Sequence, residues 1–155
     1  MKRAVRIAGA LAVSALLGLA GCSADRPAPA ALQPVEAKIA GRQVWNQKLD
    51  GVSFPLAVAV RAGRFYLASD DGTVLALEAA TGREIWRGQV GAKLSAGVGS
   101  DGRFAAVATK SNELVVLDGG NPTWRAKLDA AVVTAPLVAG ERVFVVGVDR
   151  VVHAF

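Results

Sequence analysis

Tryptophan returns at a nearly fixed phase in this chain: Trp45, Trp86 and Trp124 are separated by 41 and 38 residues. Leu77, Leu117 and Phe155 keep the same beat, at 40 and 38. A period of this size constrains the fold more than any local propensity does. Each repeat must be one supersecondary unit that buries its apolar surface against its neighbours. The clearest copy is Asp71–Trp86, DGTVLALEAATGREIW. It opens with an acidic-glycine turn at Gly72 and continues into six residues suited to a strand. It then turns again at Thr81 and Gly82 and enters a short segment carrying Trp86. Acidic-glycine pairs between apolar runs signal hairpins, because glycine accepts the positive φ that such turns require.

Extending the pattern along the chain predicts strands throughout. An isolated first strand is expected over Gln43–Leu49, around Trp45. A first round follows over Leu56–Val60, Arg64–Ser69, Thr73–Glu78 and Glu84–Val90. The second covers Leu94–Gly99, Arg103–Thr109, Glu113–Asp118 and Thr123–Leu128, with Trp124 in its last strand. A third begins with Val132–Val138 and Arg142–Gly147 and stops in Val151–Phe155. Four short strands in about 40 residues are the mark of a β-propeller blade. Runs such as Val74-Leu75-Ala76-Leu77 are apolar on both faces, as expected for a sheet buried between two other sheets. The expected fold is therefore all-β, a β-propeller of four-stranded antiparallel blades, here an incomplete ring of about two and a half blades. A β-sandwich has similarly spaced turns, but nothing in it requires tryptophan at a fixed phase.

The first 40 residues do not share the period. Lys2, Arg3 and Arg6 precede the apolar run Ile7–Leu19, which closes on Leu19-Ala20-Gly21-Cys22. That run is shorter than the roughly 20 residues a helix needs to span a bilayer, and the three-part layout is that of a secretory signal. Its ending resembles a bacterial lipobox. The resemblance implies cleavage before Cys22, diacylation of its sulfur and acylation of its new amine. Ser23, which is not aspartate, implies transport onward to the outer membrane. Residues 23–40 contain Pro27, Pro29 and Pro34 and no hydrophobic period, as an extended tether would. The expected organisation is a lipoprotein signal peptide at 1–21, a lipidated Cys22 with its tether through 40, and the partial propeller at 41–155.

Asp71–Trp86 closely resembles the PQQ-like propeller repeat, in which a glycine turn, an apolar strand, Ala-x-Thr-Gly and a tryptophan strand follow one another. The second copy departs from it. Asn112 stands where Gly72 does, and Gly119–Pro122 forms a shorter loop. With the lipobox, the proline-containing tether and the isolated Trp45 segment, the whole order resembles the propeller lipoproteins of the outer-membrane β-barrel assembly (Bam) machinery. That resemblance implies a non-enzymatic scaffold on the periplasmic face of the outer membrane that aids insertion of β-barrel proteins. It implies BamA as partner, through its periplasmic domains, with unfolded β-barrel clients as further candidates. It also implies that the sequence is an N-terminal fragment, and that the Trp45 strand, which in the family closes the ring by pairing into the last blade, lacks that partner here.

The competing reading is a fragment of a quinone-dependent dehydrogenase, because PQQ-like repeats occur there too. Such enzymes resemble this chain in blade pattern but add a vicinal cysteine pair, calcium-binding acids and a catalytic aspartate. Here Cys22 is the sole cysteine and His153 the sole histidine, so neither a cysteine pair nor a cysteine–histidine metal cluster can form within the sequence. Asp70, Asp71, Asp101 and Asp149 all fall in expected turns, where aspartate bonds the local backbone. No cofactor, metal or catalytic residue is assigned. A lipoprotein propeller with another envelope partner is the third reading. The formal charge of +5 loses Lys2, Arg3 and Arg6 with the signal peptide, leaving 15 basic residues against 13 acidic. No basic stretch interleaved with aromatics suggests nucleic acid. The residues assigned are thus Cys22 for lipidation and Trp45, Gly72, Gly82, Trp86 and Trp124 for the repeat, with the tryptophans expected to pack between adjacent blades.

Overall fold

The computed structural model describes residues 29–34, 36 and 38–155. The signal peptide expected at 1–21, and Cys22, lie outside them. The chain divides into two units, Met1–Ala40 and Gly41–Phe155. In the first, the described residues form neither helix nor strand and are exposed, Leu32 and Ile39 included.

The second unit is all-β. Among the described residues, a first sheet contains β1 (Ala59–Arg61), β2 (Arg64–Ala68), β3 (Thr73–Glu78) and β4 (Glu84–Gln89). A second contains β5 (Gly99–Ser100), β6 (Phe104–Ala108), β7 (Glu113–Asp118) and β8 (Asn121–Lys127). A third contains β9 (Leu137–Ala139), β10 (Arg142–Val146) and β11 (Val152–Ala154). In each sheet consecutive strands are neighbours and every pairing is antiparallel. The strands β1, β5 and β9 lie beside one another from sheet to sheet, as do β4 and β8. Stacked four-stranded meanders of this kind are propeller blades.

The stacking follows from side-chain alternation. Along β6, Ala105 and Val107 turn to one side and join Tyr66, Ala68, Val74 and Ala76 of the first sheet. Ala106 and Ala108 turn to the other side and join Val138, Val143 and Val145 of the third. The inner strands β6 and β7 of the second sheet are therefore buried on both faces, and β3 and β7 share one pattern of four buried residues between two partly exposed ends. The alanines of β6 let the neighbouring sheets approach closely.

The hairpins between the second and third strands share one geometry. The amide of Ser69 donates to Thr73 O at 3.0 Å, that of Thr109 to Glu113 O at 2.9 Å, and that of Gly147 to Val151 O at 3.0 Å. The fourth residue of the turn is left-handed each time: Gly72 at φ 96°, Asn112 at 59° and Arg150 at 69°. Asparagine reaches this region more readily than most residues, which accounts for the substitution at 112. Gly72 is also held by space, since a Cβ there would stand 2.6 Å from Ala92 O.

Four of the expected strands need correction. Gln43–Leu49 is not a strand: no ladder partner lies beside it among the described residues, and only Trp45 and Leu49 are half-buried. The innermost strands are shorter than hydrophobicity suggests. Leu56–Val60 shrinks to Ala59–Arg61, and Leu94–Gly99 to Gly99–Ser100 with an isolated bridge from Leu94 to Thr109. Val132–Val138 likewise shrinks to Leu137–Ala139, with one bridge from Val132 to Gly147. In the last two stretches Val98 and Val132 line the sheet-to-sheet contact, so burial rather than ladder pairing explains these apolar positions, whereas Leu56, Val58 and Val60 of the first are exposed.

Candidate functional site

The tryptophan segments are the repeat's most distinctive chemistry. The β4 and β8 strands each carry an irregularity opposite β3 and β7, between Ala76 and Leu77 and between Val116 and Leu117. The extra residue, Ile85 or Thr123, directly precedes the tryptophan. An inserted residue bends and twists a strand locally, and in the first sheet it accompanies a tryptophan set against the next blade. A Cβ on Gly120 would lie 3.1 Å from the Trp86 ring. Trp45 meets the first sheet in the same manner. A Cβ on Gly82 would stand 2.6 Å from its indole, and its Nε1–H donates to Ala79 O at 2.9 Å. Phe65 completes that socket, with ring centroids 5.7 Å apart. Gly82 and Gly120 both have positive φ, 72° and 88°. The loop expected at Gly119–Pro122 is only a Gly119-Gly120 turn, since Asn121 and Pro122 pair in β8, yet it still supplies the glycine on which a tryptophan rests. Trp124 stands apart: it is 42% exposed, with Phe155 at 5.6 Å.

The aspartates singled out in the sequence are engaged with backbone. Asp71 Oδ1 accepts from Thr73 N at 2.9 Å and Ser69 Oγ at 2.6 Å. Asp101 Oδ1 accepts from Arg103 N and Phe104 N at 2.9 and 2.8 Å, and Asp149 Oδ1 from Val151 N at 3.1 Å. Asp70 reaches further and accepts from Ser53 N at 2.9 Å, fixing the segment that leads into β1. The structure does not bring these carboxylates together. Among the described residues no three His, Cys, Asp or Glu side chains converge. His153 lies on β11 opposite Val145, its ring 6.4 Å from that of Phe155.

The bond from Ser69 Oγ, then that from Thr73 N, holds the Asp71 carboxyl below its ordinary value; bonds from Ser53 do the same for Asp70. A depressed folded-state value means that the unfolded chain binds more protons, so stability rises with pH through that window. The contribution is complete above the ordinary aspartate range and is lost as pH falls through the lowered values. Urea midpoints of the wild type should therefore drop between pH 5 and pH 3, and Asp71→Asn should show a shallower drop.

Sequence reasoning missed the side chains that tie one sheet to the next. Tyr66 is fully buried, and its hydroxyl donates to Gly102 O at 2.7 Å. Ser95 Oγ donates to Val132 O at 2.6 Å, and Arg125 Nη2 to Val90 O at 2.6 Å. Only Tyr66 carried a signal, since a tyrosine within an apolar strand needs a partner for its hydroxyl. Ser95 and Arg125 lie in expected strands, where nothing in the residue type marks a bond to the next sheet.

The family model described as "Outer membrane protein assembly factor BamB" matches residues 33–95 and 70–155. The chain belongs to the BamB family. It is 36% identical over 154 residues to the outer membrane protein assembly factor BamB of Bordetella pertussis, covering 95% of this chain and 40% of that protein. The BamB of Burkholderia pseudomallei is 33% identical over 147 residues, with coverages of 92% and 39%. The chain thus spans about two-fifths of the length of these relatives. Among solved structures, BamB from Moraxella catarrhalis superposes with a TM-score of 0.57 at 23% identity, over 68% of this chain and 33% of that one. A computationally designed protein, Ika8, matches with a TM-score of 0.56 at 18% identity, over 68% of this chain and 34% of that one. At those identities the two structures speak to fold alone. The fold they share is the propeller of stacked antiparallel blades seen here.

Proposed function

We propose that this BamB-family protein is a non-enzymatic scaffold of the outer-membrane β-barrel assembly complex. Residues 1–21 are removed, Cys22 is acylated, and residues 23–40 tether the propeller at 41–155 to the periplasmic face of the outer membrane. Several acyl chains on one residue give stable anchoring where a single chain is marginal. The partner is BamA, held through its periplasmic domains, and the protein aids insertion of β-barrel proteins. The observation that carries this reading is the relationship to proteins named as BamB assembly factors over almost the whole chain.

The non-enzymatic part draws support from the aspartates, each of which accepts from a backbone amide rather than standing free in a cleft. Scaffolding through loops and strand edges of a rigid propeller needs no reactive group. Complementation tests the proposal. The full-length protein, produced in a relative lacking its own BamB, should restore the level of β-barrel proteins in the outer membrane. Unrestored levels with the protein present at that membrane would overturn it.

A further inference from the structure

We draw no further inference here: the strongest candidate, the apolar groove between the second and third sheets lined by Phe104, Val116, Trp124, Val143 and Phe155, lies beside the last residue of the chain, and nothing in the structure shows what covers it.

Discussion

Replacing Tyr66 with alanine should cost about 3–5 kcal/mol, the range seen when a buried aromatic is truncated in a core that cannot close the space. Tyr66 is fully buried between the first and second sheets, with its ring centroid 5.9 Å from that of Trp86. Its hydroxyl donates across that boundary to Gly102 O. The loss is large against a typical domain stability of roughly 5–15 kcal/mol. Tyr66→Phe separates packing from hydrogen bonding. Gly102 O keeps a longer contact from Arg64 Nη1 at 3.4 Å, so it is not orphaned, and the cost should be about 1 kcal/mol. Urea unfolding of the two variants should therefore give a small shift for phenylalanine and a large one for alanine. Equal shifts would show that the hydroxyl, and not the ring, joins the sheets.

Under the proposed lipidation, Cys22→Ser should leave the protein unacylated. Serine offers no thiol for diacylation, and the following steps depend on that lipid. The intact mass of the variant should lack any acyl chain. Mass spectrometry that found acylation unchanged would remove Cys22 from the account.

The fold was legible because one pattern recurs. The strands β3 and β7 begin and end at the expected residues, since both are apolar runs bounded by turns whose chemistry is local. The innermost strands were misjudged for a reason the sequence does not display. Apolar residues around Val98 and Val132 are buried by neighbouring sheets without extended ladders, and hydrophobicity cannot tell these situations apart. Gln43–Leu49 looked like a strand because Trp45 copies Trp86. The resemblance lies in the socket each indole occupies, Gly82 or Gly120, rather than in backbone pairing. Inter-sheet bonds from Ser95 and Arg125 join residues more than 30 apart, a distance over which sequence alone offers no partner.

The scaffold reading rests on a physical association with BamA, and affinity purification of the full-length protein from detergent-solubilised outer membranes measures that association directly. Mass spectrometry of the bound material should find BamA with the wild-type protein. A correctly anchored and folded protein that comes down without BamA would contradict the account.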